Sequence, residues 1–293
     1  MVKVKSRIMS SYKAVVPIAG KGTRLEPMTK VVPKALFPMV DRSKKVRAVL
    51  QVLLEEIGQV GIEDVAVIIS SGQKNTVKAY LDVIRELNAR TLPSRICFLE
   101  QKEPRGFGDA VIRAREFVND EPFLLLLGDH IQISNPGKPS CVYQVVEAFR
   151  RGNHRAVVGM YDVDESVLHT MGIASGKLIE DRIFLCTEFV EKPSLDLAKA
   201  RLTMDELPNG RYLGHCGIYV FDAKIFSCLE QERLAVGHSG GEIELAAAQA
   251  RLLQKYPEDY YLYWIEGRAY DMGTPEGYLR TFAAFGGIDA VKA

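Results

Sequence analysis

Apolar residues recur along the chain in two rhythms. Residues 13–19, 65–70, 96–99 and 123–127 are short, nearly continuous aliphatic runs with the length of buried strands. Between them apolar positions return every three or four residues. Val46, Val49, Leu50, Leu53, Leu54 and Ile57 mark one such stretch, Val77, Tyr80, Leu81, Ile84 and Leu87 a second, and Ala110, Val111, Ala114, Phe117 and Val118 a third; each predicts a helix. Strand and helix in alternation predict repeated βαβ units, which require a parallel sheet covered on both faces.

The second half is less regular. Residues 156–163, 185–190, 213–221 and 260–265 read as strands, and residues 242–254 and 275–285 as helices, so a mixed sheet with longer loops is expected there. The segment 134–140, with Pro136, Gly137 and Pro139, reads as a surface turn. No Pro/Gly/Ser-rich linker and no fixed-period repeat divides the chain. The expected fold class is therefore α/β, an open Rossmann-like sheet, mixed but mostly parallel, with helices on both faces. Residues 1–12 form a basic arm and residues 13–293 a single domain.

Composition narrows the function classes. The 293 residues carry 38 basic and 37 acidic side chains, a net charge of +1. That balance offers no field to recruit nucleic acid. The longest apolar run, residues 123–127, is far short of the roughly 20 residues that span a bilayer, so no membrane partner is expected. The basic start, with Lys3, Lys5, Arg7 and Lys13, lacks the apolar centre of a secretory signal, and a cytoplasmic protein is expected. Five cysteines without a Cys-x-x-Cys pair read as reduced thiols, not as a disulfide frame or zinc site. Small-molecule chemistry remains.

In open parallel sheets ligands sit beyond the carboxyl ends of the strands. The loop after the first strand reads Ala19-Gly20-Lys21-Gly22-Thr23-Arg24-Leu25. Its glycines would let backbone amides close on a phosphate, with Lys21 and Arg24 adding charge; a plain tight turn explains the same residues. The dinucleotide fingerprint fails, because Leu25 stands where its third glycine belongs. The P-loop fails too, because Gly22 follows Lys21.

Gly20-Lys21-Gly22-Thr23-Arg24, followed by Pro33-Lys34 and Pro38-Met39-Val40-Asp41, resembles the signature of sugar-1-phosphate nucleotidylyltransferases. The likeness continues through Lys74-Asn75-Thr76-Val77, Gly106-Phe107-Gly108-Asp109-Ala110, Val190-Glu191-Lys192-Pro193, Gly240-Gly241-Glu242-Ile243 and Tyr270-Asp271-Met272-Gly273, in order from residue 13 to about residue 286. Within the family the blocks are most similar to the branch that joins UTP to glucose-1-phosphate.

The resemblance implies attack of a sugar-1-phosphate oxygen on the α-phosphorus of a nucleoside triphosphate, UTP favoured, with pyrophosphate leaving. The nucleophile is already ionised, so positioning and charge neutralisation should carry the catalysis. By resemblance Asp129 and Asp271 hold Mg²⁺, and Arg24, Lys34 and Lys192 are the catalytic cations. Ala19, Gly20, Gly22, Thr23, Gln101 and Gly106 bind the nucleotide, with the Gln101 amide offering both a donor and an acceptor to the base. Glu191, Lys192 and Gly217 bind the sugar. Residues 13–135 would form the nucleotide half, residues 155–293 the sugar-phosphate half, and the assembly would be a homodimer or homotetramer. His130, a lone histidine beside Asp129, reads as a packed or capping side chain.

The chain also departs from the family pattern. Arg42-Ser43-Lys44-Lys45-Val46-Arg47 is strongly basic, Gly128 stands where a proline is usual, and Ile18 replaces a small residue. A paralogue using another nucleotide and another sugar or cyclitol phosphate fits those departures. An inactive sugar-nucleotide sensor is disfavoured by the presence of Lys34, Asp129, Lys192 and Asp271, and a glycosyltransferase by the lack of Asp-x-Asp at Asp129-His130-Ile131.

Overall fold

The apolar runs become the centre of a single sheet. A computed structural model describes residues 12–88, 92–152, 154–237 and 241–288; all of the basic arm except Tyr12 lies outside them. The chain begins with β1 (Lys13–Pro17), a hairpin of β2 (Pro38–Val40) and β3 (Val46–Ala48), α1 (Val49–Gln59), β4 (Asp64–Ser70), α2 (Lys74–Asn88) and β5 (Arg95–Gln101). Then come α3 (Phe107–Ile112), α4 (Arg115–Val118), β6 (Phe123–Leu126), β7 (His130–Ser134), α5 (Cys141–Arg151), β8 (Ala156–Asp164), β9 (Gly172–Glu180) and β10 (Ile183–Glu191). It closes with α6 (Leu195–Arg201), β11 (Arg211–Phe221), α7 (Lys224–Val236), α8 (Leu245–Lys255), β12 (Tyr260–Trp264), β13 (Gly267–Asp271) and α9 (Pro275–Gly286).

Nine strands form one sheet in the order β5-β4-β1-β6-β11-β8-β12-β10-β9. From β5 to β6 every pairing is parallel. β11 then runs antiparallel to β6 and β8, β12 parallel to β8, and β10 antiparallel to β12 and β9. This is the mixed, largely parallel sheet expected. Alternate residues of one strand face opposite sides, as the pleat requires. Ala14 and Val16 join a core with α1, α2 and α5, whereas Val15 joins a second core with α3, α7 and α8.

Phe123 lies at the centre of the second core, fully buried, its ring stacked 5.2 Å from that of Phe226. Replacing it by alanine should cost about 3–5 kcal/mol through lost burial and the cavity left behind. A urea unfolding midpoint close to that of the parent would contradict this.

Several boundaries differ from the sequence reading. Val46 is not part of the first helix; it lies in β3, 67% exposed, and the helix starts only at Val49. The cause lies in its neighbours: Arg47 pairs with Asp41 at 2.5 Å and Glu55 at 2.6 Å, and the Ala48 N–H donates to the Tyr80 hydroxyl. The helix expected over residues 110–118 is broken into α3 and α4 near Ala114. Leu87, in the last turn of α2, is 72% exposed and not part of the buried stripe. The sequence reading lacked β7, β9, β13 and helices α5, α6 and α7, although Cys141, Val142, Val145, Val146 and Phe149 bury one face of α5 at helical spacing. All five cysteines are free. Among the described residues no helix is long and apolar enough to cross a membrane.

The basic stretch folds into the β2–β3 hairpin. Asp41 closes its turn, accepting from the Ser43 hydroxyl and the Lys45 N–H, and these bonds hold its pKa down to about 2. Near Arg47, burial pushes the Glu56 carboxyl up to about 8 despite the pull of that guanidinium, and its Oε2 has no hydrogen-bond partner among the described residues. Native Glu56 thus keeps its proton to about pH 8, whereas the unfolded chain releases it near pH 4.3. Unfolding between these values releases a proton, so stability falls as pH rises through the window. Glu56→Gln should be more stable than the parent at pH 8, by at most about 4–5 kcal/mol of unfolding free energy, and level with it near pH 4. Parallel calorimetric scans at the two pH values measure the difference.

Candidate active site

β1 ends at Pro17, and the chain turns across the carboxyl edge of the sheet. Residues 20–24 use none of their backbone N–H groups in hydrogen bonds among the described residues. Gly22 adopts φ +64°, and a short 3-10 turn follows over Thr23–Leu25, with the Leu25 N–H donating back to the Gly22 carbonyl. The Thr29 hydroxyl also donates to that carbonyl at 2.8 Å and so holds the loop. Free amides in a fixed concave turn, with Lys21 and Arg24 exposed beside them, form an anion cradle.

The cradle opens onto a cavity of about 720 Å³. Its lining includes Ala19, Gly20, Gly22, Thr23, Arg24, Lys34, Gln101, Gly106, Asp129 and Lys192, most of the residues singled out in the sequence. Ile18, Lys21, His130 and Glu242 line it as well. Ile18 and Gly128, two departures from the family pattern, fit each other. A Cβ at Gly128 would come within 2.3 Å of the Pro17 carbonyl oxygen and 2.6 Å of Ile18 Cγ2.

β6 delivers Asp129 to the edge of the cavity, and Asp271 reaches the same place through the ribbon formed by β7 and β13. In that ribbon Asp271 pairs in register with His130, and the Met272 N–H donates to the Asp129 carbonyl at 3.0 Å. Both carboxylates line an adjoining hollow with Arg24, Lys34 and His130. Lys34 Nζ donates to Asp129 Oδ2 at 2.5 Å, and His130 Nδ1 lies 2.9 Å from Asp129 Oδ1. Burial alone would raise the Asp129 pKa, but the His130 hydrogen bond and the His130 and Lys34 charges outweigh it and hold the carboxylate well below its usual range. His130 is driven the other way: burial lowers its pKa, yet Asp129 and Asp271 leave it raised. One ligand atom each from Asp129, His130 and Asp271 lies within 4.8 Å of the others, a donor set that fits a divalent cation.

Gln101 departs from the expectation that its amide offers the base both a donor and an acceptor. Nε2 donates to the Gly106 carbonyl at 3.0 Å and to the buried carboxylate of Asp109 at 2.8 Å. Both amide hydrogens are committed, and Oε1, an acceptor, is left over among the described residues. Gly106, at φ +101°, leads into α3, where a Cβ would stand 2.6 Å from the Ile243 carbonyl oxygen.

Two residues expected at the sugar do not line the cavity. Glu191 lies beside it, its Oε1 3.7 Å from Lys192 Nζ, and burial raises its carboxyl pKa. Gly217, at φ +81°, packs against Leu127 and His130 instead. The sequence reading missed His130, because only the ribbon shows that it faces a carboxylate on each side. It also left out Glu242, and nothing in its spacing marks it as part of the wall.

Comparison with known proteins places this geometry in context. The family model described as nucleotidyl transferase matches residues 13–285. The UTP–glucose-1-phosphate uridylyltransferase of Bacillus subtilis (strain 168) is 32% identical over 291 residues, covering 93% of this chain and 90% of its own. A second, UTP–glucose-1-phosphate uridylyltransferase 2 of Staphylococcus saprophyticus, is 32% identical over 286 residues, covering 92% and 90%. Among solved structures, a UDP-glucose pyrophosphorylase complexed with UDP-glucose superposes with a TM-score of 0.77 at 23% identity, covering 94% of this chain and 98% of the other. The UTP-bound enzyme of Acinetobacter baumannii gives 0.72 at 24% identity, covering 94% and 93%. At those identities the superpositions speak for the fold.

Proposed function

Because the chain belongs to the nucleotidyl transferase family, we propose that it joins UTP to glucose-1-phosphate, forming UDP-glucose and releasing pyrophosphate. The observation that carries this reading is the meeting of the anion cradle, Lys34 and the Asp129–Asp271 pair around one cavity. In the step itself, a non-bridging oxygen of the sugar phosphate bonds to the α-phosphorus, the bond from that phosphorus to the bridging oxygen breaks, and pyrophosphate departs with the electron pair. No proton needs to move. The amides of residues 20–24 and Arg24 would hold the β- and γ-phosphates. Lys34 would sit by the reacting phosphorus and Lys192 by the incoming phosphate, with Glu191 accepting from sugar hydroxyls. A divalent cation, Mg²⁺ in the first instance, would be held by Asp129 and Asp271 and, when bound, neutralises phosphate charge.

The leftover acceptor of Gln101 can take a hydrogen bond from the pairing edge of the base. Uracil and thymine offer it a ring N–H, and cytosine, adenine and guanine an exocyclic amine, so this acceptor alone does not choose among the bases. The likeness to the uridylyltransferases supports uracil. The expected assembly is a homodimer or homotetramer, which sedimentation equilibrium measures.

The test is pyrophosphate release with Mg²⁺ and glucose-1-phosphate, run separately with UTP, dTTP, GTP, CTP and ATP, each with and without EDTA. Release with UTP, abolished by EDTA, is expected. Turnover with another nucleotide and not with UTP would refute the uracil assignment, and silence with all five nucleotides, extended to other sugar-1-phosphates, would refute the activity.

A further inference from the structure

In sequence His130 is a lone imidazole; in the fold it has company. The β7–β13 ribbon sets it opposite Asp271, and Asp129 precedes it in the chain. Its side chain is only 20% exposed. It is also backed by β11, since a Cβ on Gly217 would come within 3.3 Å of its Cβ and Cγ. The ring is thereby wedged against the two carboxylates.

The 2.9 Å between His130 Nδ1 and Asp129 Oδ1 is a hydrogen-bond distance. It is also close to the spacing of two neighbouring ligands on an octahedral ion with bonds of ~2.1 Å, about 3.0 Å. Lys34 already donates to Asp129 Oδ2, which leaves Oδ1, the oxygen beside His130 Nδ1, the less encumbered one for a metal.

Resting on the metal-dependent reaction proposed above, we propose that His130 is a third, nitrogen ligand of the divalent cation. Its presence makes the site prefer ions that accept imidazole readily, such as Mn²⁺ or Co²⁺, over Mg²⁺. The reason is ligand chemistry: Mg²⁺ is a hard ion that favours oxygen, whereas imidazole gains affinity along the transition series. A histidine that only oriented Asp129 through its hydrogen bond would strengthen the binding of every ion alike. The ratio of affinities separates the two roles.

The test uses the full chain with UTP present, as wild type, His130→Asn, His130→Gln and Asp271→Asn. Free Mn²⁺ is followed by electron paramagnetic resonance, Mg²⁺ by competition, and nitrogen coordination by ¹⁴N modulation of the bound Mn²⁺ echo. The wild type should show imidazole modulation that both His130 variants lack. In those variants Mn²⁺ affinity should fall by about ten-fold or more, while Mg²⁺ affinity changes less than about two-fold. Melting temperatures identify a variant that is simply misfolded, and the asparagine variant, whose amide nitrogen stands where Nδ1 does, can keep the hydrogen bond to Asp129. Absence of nitrogen modulation in the wild type, or an equal loss for both ions, would overturn the proposal. Asp271→Asn should lose both ions; if it binds Mn²⁺ as the wild type does, the carboxylate assignment itself fails, whatever His130 does.

Discussion

Lys34→Ala should lower the turnover of pyrophosphate release by about a thousand-fold, at the upper end of what one preorganised charge contributes in a water-poor site. The side chain is only 16% exposed, and its ammonium is fixed 2.5 Å from Asp129. It therefore needs little reorganisation to meet charge developing at the reacting phosphorus. Removing it subtracts that charge and leaves the Asp129 carboxylate with His130 as its one side-chain partner among the described residues, a net repulsion for the incoming phosphates. The loss should fall on kcat more than on KM, because uniform binding would appear in KM. Steady-state kinetics with saturating UTP decides it. A kcat within ten-fold of the parent would remove Lys34 from the chemistry, and Lys34→Arg should recover part of the loss if charge is what counts.

Gly106→Ala should destabilise the fold by about 3 kcal/mol or more and weaken nucleotide binding with it. Two costs coincide. The residue sits at φ +101°, where L side chains are strained, and a Cβ would meet backbone on the facing segment, 2.6 Å from the oxygen and 2.8 Å from the nitrogen of Ile243. Neither contact can be relieved by a rotamer. Arg105 and Gly108 are hydrogen-bonded to that same Ile243, so the start of α3 must move as a unit. The Gly106 carbonyl would move with it, loosening the anchor that aims Gln101. At roughly 3 °C per kcal/mol for a chain of this size, a melting temperature about 10 °C lower is expected. A change under about 2 °C would mean that the two segments part easily.

The fold was legible where a strand has one reading. The runs at β1, β4 and β6 are apolar on both faces because helices cover both sides, and that continuity survives in the sequence. Elements of mixed character were not legible. β7, His-Ile-Gln-Ile-Ser, is too short and too polar to announce itself, and β13 finds a partner only far away in the chain. The site divides the same way. Its local parts, the cradle and Lys34, sit in a contiguous motif. Asp129 and Asp271 could be paired only by resemblance, and the roles of His130 and Gln101 depend on contacts that one-dimensional order does not contain.

The ribbon has a consequence for the order in which the molecule becomes competent. The cradle belongs to the first strand and its neighbours, but Asp271 reaches the cavity only when β13 closes on β7, a contact between distant parts of the chain. Contacts of wide sequence separation form late, since the intervening chain must first give up its freedom. During synthesis, an emerging chain that lacks β13 would therefore carry the cradle without the Asp271 carboxylate, and it would be silent until β13 had been made. In pulsed hydrogen exchange during refolding, metal affinity should rise together with protection of the β7 and β13 amides and lag behind that of β1 and β4.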